Sequence, residues 1–359
     1  MTDVTTTGDT GAPASPGGAP PAGPAAASAP LPTNDPELEA ALVDGLAEIE
    51  RRLEAAVSAT SVLDDAPSSH LLSAGGKRMR PALALLAAQL GTGTSEEVLE
   101  AAVGVELTHL ASLYHDDVMD SAATRRGVPT AHEVWGNSVA ILAGDLLFAR
   151  ASQTVAGLGP VAVRIQAETF ERLCVGQLHE TLGPQEGDDP VEHHIGVLAG
   201  KTGSLIAAAA HYGAMFAGLS GEELRAVVEY GERVGVAFQL ADDVLDLTSS
   251  AEVLGKTPGT DLREGVPTMP VLLLQRRAAD GRIDDEGTAI LDALAGDLGS
   301  PEALEAVVAR LAAHPVMEEA REMARAVAAE AVAQLDVLPD SVAKRALGEF
   351  ADVVVERLA

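Results

Sequence analysis

Two hexapeptides, HDDVMD at 115–120 and ADDVLD at 241–246, carry three aspartates each in the same pattern, 126 positions apart. On a helix, positions i and i+4 share a face, so Asp116 aligns with Asp120 and Asp242 with Asp246. Asp117 and Asp243 sit about 100° round, at the edge of that face. Three carboxylates within one turn repel each other, and more so in an apolar setting. The residues leading in are apolar or small, LTHLASLY before the first motif and GVAFQLA before the second. Two solvated acidic faces would explain the composition alone. Two carboxylate clusters facing each other across a cavity and sharing hard cations explain the apolar setting as well. An oxygen-only ligand set suits Mg²⁺ better than Zn²⁺, and Mg²⁺ completes its shell with water and substrate phosphate oxygens.

The cations are placed to match. The chain has four lysines, and three of them, Lys77, Lys201 and Lys256, directly follow a glycine, in GGKRMRP, AGKTGS and LGKTPG. Lysine is a point-charge donor to phosphate, and a neighbouring glycine would let the backbone approach an anion. Arg125 and Arg126, followed by Gly127, come five residues after the first acidic motif and could each grip an anion in bidentate fashion. Basic sites interleaved with two acidic clusters predict a diphosphate-binding site. His109 lies two turns before Asp116 on the same face and is either a structural histidine or an anion ligand. His193 and His194 read as a solvated helix start rather than a metal pair.

The elements that must position these residues are helices. From Pro36 onward, helix-period patterns separated by Gly, Pro or Asp predict helices near 36–57, 81–90, 96–120, 131–156, 160–182, 190–213, 221–247, 267–280, 286–296, 301–313, 316–334 and 340–357. Thr94 with Glu97 and Ser220 with Glu223 have capping-box spacing. No strand pattern competes over a comparable length. The expectation is an all-α, single-domain bundle over 35–359, preceded by a disordered Ala/Pro/Gly-rich tail at 1–34.

Composition narrows the class. A net charge of −30 argues against a nucleic-acid or anionic-membrane binder. The single cysteine, Cys174, allows no internal disulfide and reads as a small buried hydrophobe. No stretch reaches 18 uncharged apolar residues, so no transmembrane segment is expected. The tail lacks the basic start and Leu-rich centre of a secretory signal, and a cytoplasmic location is expected.

These segments resemble the trans-isoprenyl diphosphate synthases, or polyprenyl synthetases, over nearly all of 36–359. The resemblance is carried by GGKRMRP, ELTHLASLYHDDVMD, TRRGVPT, NSVAILAGDLLF, the GKTG segment, FQLADDVLD and GKTPGTDLREGVPTMP, in that order. It implies antiparallel helices around a deep central cavity, of the isoprenoid synthase type, in a homodimer. It also implies head-to-tail condensation of an allylic diphosphate with isopentenyl diphosphate, using Mg²⁺, typically three ions. Carried over, Lys77, Arg80, His109 and Arg126 would bind isopentenyl diphosphate. Arg125, Lys201, Thr202, Gln239 and Lys256 would surround the allylic diphosphate, with Thr202 and Gln239 offering oxygen dipoles to a carbocation. Asp116, Asp120 and Asp242 would be the main metal ligands, with Asp117, Asp243 and Asp246 supporting through water. Val266 stands where many relatives have a lysine, which removes one cation from that motif.

In this family a bulky aromatic about one turn before the first acidic motif stops growth early. Here those positions are Ala111 and Ser112, and Tyr114 points elsewhere by helical geometry. With small residues on that face, the implied product is a long all-trans chain, about C35 to C50, suited to a quinone side tail. Its hydrophobicity would favour transient membrane contact on release. If another helix supplies the floor, from the Phe148 or Phe170 region, a C15–C20 product follows. A class I terpene cyclase would usually replace the second aspartate motif with an Asn/Ser/Glu triad and lack GGKRMRP. A non-catalytic synthase subunit would tend to have lost the aspartates. Both features are intact here.

Overall fold

The computed structural model describes residues 33–58, 62–249, 258–263 and 265–356. Lys256 and all of the 1–34 tail except Thr33 and Asn34 lie outside them. Among the described residues the chain is helical but for a short antiparallel hairpin, Thr124–Arg125 with Val128–Pro129.

In chain order the helices are α1 (Pro36–Val57), α2 (Val62–Ser73), α3 (Met79–Ala88), α4 (Glu96–Met119), α5 (Ala131–Trp135), α6 (Asn137–Ala156), α7 (Pro160–Leu182), α8 (Pro190–Leu198), α9 (Ser204–Phe216) and α10 (Gly221–Thr248). There follow α11 (Thr260–Arg263), α12 (Met269–Ala279), α13 (Asp285–Leu294), α14 (Pro301–Ala313), α15 (Val316–Gln334) and α16 (Val342–Glu356). A π turn, Ala199–Gly203, joins α8 to α9 without a break.

Helices α4, α9 and α10 form the centre, and their sequences explain it. Apolar or small residues recur all round α4 and α9, so neither has a face to offer water. α3 packs on α9, α6 lies along α4, and α15 lies along α10. Close approach depends on small side chains. A Cβ at Gly176 of α7 would come within 2.7 Å of the Lys201 nitrogen, and one at Gly235 of α10 within 2.6 Å of the Gly203 Cα. The π turn is thereby wedged between α7 and α10.

Several expectations need correction. The helix expected over 131–156 breaks at Gly136, whose φ of 82° and ψ of 161° lie outside the helical region. The helix expected over 190–213 passes through the π turn. α2 is a helix that the sequence does not predict, and it carries Pro67, which disfavours a helix interior. Its ladder is repaired from outside: the Tyr114 hydroxyl donates to the Pro67 carbonyl at 2.5 Å and accepts from the Leu71 N–H at 3.2 Å. Those two backbone groups are i and i+4 partners, so Tyr114 stands in the gap between them.

The cap of α4 is Ser95, whose hydroxyl accepts from Val98 N, rather than Thr94. Ser220 is at the cap of α10, but its side chain makes no capping bond. Cys174 is exposed rather than buried, because it lies on the outer side of α7, yet partial burial still pushes its thiol pKa up.

α6 is long and apolar enough to cross a membrane, although it carries Asp145 and Arg150. In this fold it packs against α4 and leaves Ile141 and Leu142 exposed.

Candidate active site

α4 delivers the first acidic motif at its last turn. Asp116 is half-buried, Asp117 is 1% exposed and Asp120, the C-cap, is open to solvent. Burial raises the pKa of all three. For Asp116 that effect, partly offset by Lys201 and reinforced by Asp120, pushes the carboxyl up to about 6. Around Asp116 stand two cations, Lys201 and Arg125, against the further acids Asp120 and Glu180, so the acids outnumber the cations.

Asp117 is tied differently. Arg125, in the hairpin, donates through Nε to Asp117 Oδ1 at 2.7 Å, and its Nη2 pairs with the same oxygen at 2.7 Å. Asp117 Oδ2 is buried and has no hydrogen-bond partner among the described residues. Arg125, expected to hold diphosphate, is thus already engaged with the acidic motif.

Lys201 faces the same cluster from the π turn. Its Nζ is 2.6 Å from Glu180 Oε2, and Gln177 Nε2 supports that oxygen at 3.0 Å. Burial works to lower the lysine's pKa, but Asp116 and Glu180 outweigh it and hold the ammonium charged. Glu180 and Gln177, both on α7, were not singled out in the sequence; they fall three residues apart after the tight Gly176 contact, a spacing too common to signal function. Thr202, beside Lys201, is buried, and Gln239 on α10 is half-buried.

α10 delivers the second motif. Asp242 is half-buried, while Asp243 and Asp246 are 8% and 2% exposed. Asp243 Oδ2 accepts from the Met269 N–H at 2.9 Å and lies 2.9 Å from His194 Nε2. His194 is therefore no solvated helix start: α8 turns it into the interior toward the acidic helix. His193 stays near the surface, its Nε2 3.1 Å from the His179 carbonyl.

A second group of residues, basic ones, gathers around His109. Burial first, then Arg80, Arg126, Arg125 and Arg78, drive its pKa well below the usual value, so the imidazole is neutral near pH 7. Arg80 is itself pulled down to about 10 by burial, and its Nε has no hydrogen-bond partner among the described residues. Arg126 donates to the carbonyls of Leu71 and Gly75. Arg78 pairs with Glu50 at 2.7 Å and Glu106 at 3.1 Å. Arg78 and Arg126 both adopt left-handed backbone, with φ of 50° and 53°, a strain that non-glycine residues rarely carry. Lys77 is exposed and adjoins Arg78 in sequence.

Two of the glycines beside the lysines, Gly76 and Gly200, are also tightly packed. A Cβ at Gly76 would meet Arg78 Nη1 at 2.8 Å and Arg126 Nη1 at 3.1 Å, and one at Gly200 would meet Gly176 Cα at 3.1 Å.

The donor set fits a divalent cation. Asp116 and Asp120 are carboxylates in excess of local positive charge, and Asp117 Oδ2 is an acceptor without a donor. Among the described residues no three His, Cys, Asp or Glu side chains already form a cage. Carboxylate oxygens are the donors a hard divalent cation takes, with water and phosphate completing its shell.

At the chain-length positions, Ala111 is fully buried and Ser112 is 9% exposed, its hydroxyl donating to the His109 carbonyl. Tyr114 faces α2, where its hydroxyl meets Pro67 and Leu71. Phe148 on α6 packs on Phe170 of α7 with centroids 4.5 Å apart, and His115 packs on Phe148 at 5.5 Å. Val266 is 38% exposed.

The polyprenyl synthetase family model matches residues 63–310. Nonaprenyl diphosphate synthase from Mycobacterium tuberculosis is 41% identical over 93% of this chain and 98% of its own. Among solved structures, the geranylgeranyl pyrophosphate synthase of Corynebacterium glutamicum, in complex with calcium and isoprenyl diphosphate, superposes with a TM-score of 0.80. It is 43% identical, over 90% of this chain and 98% of that one. A decaprenyl diphosphate synthase from Rhodobacter capsulatus gives a TM-score of 0.79 at 32% identity, over 90% of this chain and 99% of that one.

Proposed function

The chain belongs to the polyprenyl synthetase family, and from that premise we propose that it condenses an allylic diphosphate with isopentenyl diphosphate, head to tail, to make a long all-trans polyprenyl diphosphate. The observation that carries the reading is the first aspartate cluster, part-buried and facing Lys201, together with a separate group of arginines around His109. Two anionic groups can then be held at once.

In this reading Asp116, Asp120 and Asp242 would hold Mg²⁺, with Asp117, Asp243 and Asp246 in support. When bound, the cation supplies charge neutralisation for the departing diphosphate. Lys201 and Arg125 direct N–H groups at the same developing charge. Lysine 256, outside the described residues, is assigned beside them. Lys77, Arg80, His109 and Arg126 bind the isopentenyl diphosphate and set its double bond against the allylic carbon. Breaking the allylic C–O bond leaves a carbocation, which Thr202 and Gln239 stabilise through their oxygen dipoles while apolar helices keep water out. The double bond attacks, and the proton lost from the new cation goes to the diphosphate.

The small side chains of Ala111 and Ser112, and the nonaprenyl and decaprenyl synthases among its relatives, support a product of about C35 to C50. A C15–C20 product is the second reading, favoured by the Phe148–Phe170 pair and by the geranylgeranyl synthase likeness. The exposed apolar residues of α6 and α7, among them Leu142, Leu178 and Leu182, support a homodimer. A cytoplasmic enzyme that touches a membrane only to release product completes the proposal.

Incubating the protein with Mg²⁺, isopentenyl diphosphate and separate C5, C10, C15 and C20 primers, then sizing the products, tests the reading. Incorporation into chains of C35 or longer is expected. No incorporation from any primer would overturn it.

A further inference from the structure

His194 is on α8, and its Nε2 is 2.9 Å from Asp243 Oδ2. The same oxygen accepts the backbone N–H of Met269, the first residue of α12, at 2.9 Å. Both side chains are almost enclosed, at 12% and 11% exposed. One carboxylate oxygen thus holds α8, α10 and α12 together.

The helix that carries His194 does not stop there. It runs on through the π turn, and Lys201 follows seven residues later, within that turn. Lys201 meets Glu180 and lies in the field of Asp116 and Asp120. A single helical run therefore touches the second acidic motif with a histidine and the first with a lysine. Gly176 and Gly235 pin the π turn from both sides, so the run has little freedom to slide.

We propose that His194 is a positioning residue which, through Asp243, sets how the second acidic motif faces the first and so prepares the pair for a divalent cation carrying diphosphate. The inference rests on the reading of the two motifs given above. With two donors on Oδ2, Asp243 cannot turn away, and its neighbour Asp242 on the same helical turn is held in place. Loss of an orienting partner of this kind typically weakens metal binding by about 10- to 100-fold.

The test compares His194→Leu, which fills the space without a donor, with His194→Gln, whose amide nitrogen reaches about as far as Nε2. Calorimetry on the full-length protein would measure the Mg²⁺ concentration needed for half-maximal binding of inorganic diphosphate, and thermal melting would report folding. The expected result is a rise of about tenfold or more for Leu, with Gln returning most of the way to wild type. Should Leu unfold the chain, His194→Asn, too short to reach Asp243, replaces it in the same comparison. A folded donor-less variant with the wild-type midpoint, or a Gln variant no better than it, would sink the proposal. A wild-type protein that binds no diphosphate at any Mg²⁺ concentration would instead overturn the reading of the motifs themselves.

Discussion

Arg125 holds one oxygen of Asp117 with a hydrogen bond from Nε and an ion pair from Nη2, while the other oxygen of that carboxylate, buried, meets no donor among the described residues. The middle aspartate of the motif is a brace to the hairpin, and the outer two look onto the site. Asp116→Ala should therefore weaken Mg²⁺-dependent diphosphate binding more than Asp117→Ala does. Asp117→Ala should cost more folding stability, about 1–3 kcal/mol, because a partly buried guanidinium loses its acceptor. Calorimetric titration and chemical denaturation of both variants check this, and equal losses of binding would contradict it.

The raised carboxyls of the first motif make the metal-free protein sensitive to pH. Asp116 has a pKa of about 6 when folded against an ordinary value of 3.8, and Asp117 and Asp120 are shifted the same way. Between those values the folded chain holds a proton that the unfolded chain has lost. Stability from these groups is therefore fully present below the ordinary value and declines as pH rises through about 6. Mg²⁺ should offset the loss, so the rise in Tm on adding Mg²⁺ should be larger near pH 7.5 than near pH 5. A rise of the same size at both would count against an under-neutralised cluster.

Tyr114 supplies the hydroxyl that bridges the Pro67 carbonyl and the Leu71 N–H. Tyr114→Phe removes the bridge and strands both groups in the interior, at a cost of about 1–3 kcal/mol. Urea denaturation should show a lower midpoint at unchanged m-value. An unaltered midpoint would mean that the α2 ladder closes by itself.

The length of the product can be probed at Ala111. Ala111→Phe should shorten the chain by at least one isoprene unit, read by chromatography of radiolabelled products. Ala111 is fully buried, and its carbonyl lies 3.2 Å from where a Cβ on Gly144 of α6 would be. Overpacking should thus also lower stability by about 1–3 kcal/mol. An unchanged product from a folded variant would move the floor to the Phe148–Phe170 pair. Phe170→Ala should then lengthen the product.

Long elements with clear punctuation were readable from sequence to the residue: α7 at 160–182, α14 at 301–313 and α15 at 316–334 match their expected bounds. Each begins with proline or follows a proline-marked stop, and each has an uninterrupted helical period. α2 was not readable, because it carries Pro67 in its interior and a tyrosine 47 residues away completes its ladder. The break at Gly136 and the π turn were also hidden: a glycine in a helical pattern is compatible with continuation, a kink or a stop until its neighbours are packed.

The same division runs through the site. Composition and spacing by themselves determined that this is an all-α chain with two aspartate motifs, and that its few lysines cluster around glycines, because helical period and charge are local properties. Which aspartate braces and which faces the site, that Glu180 meets Lys201, and that His194 reaches Asp243 were decided only in three dimensions. Those are pairings between single polar residues on different helices. A lone histidine or glutamate carries no spacing to mark it, and its partner is set by where α7, α8 and α10 converge when their apolar faces are buried together.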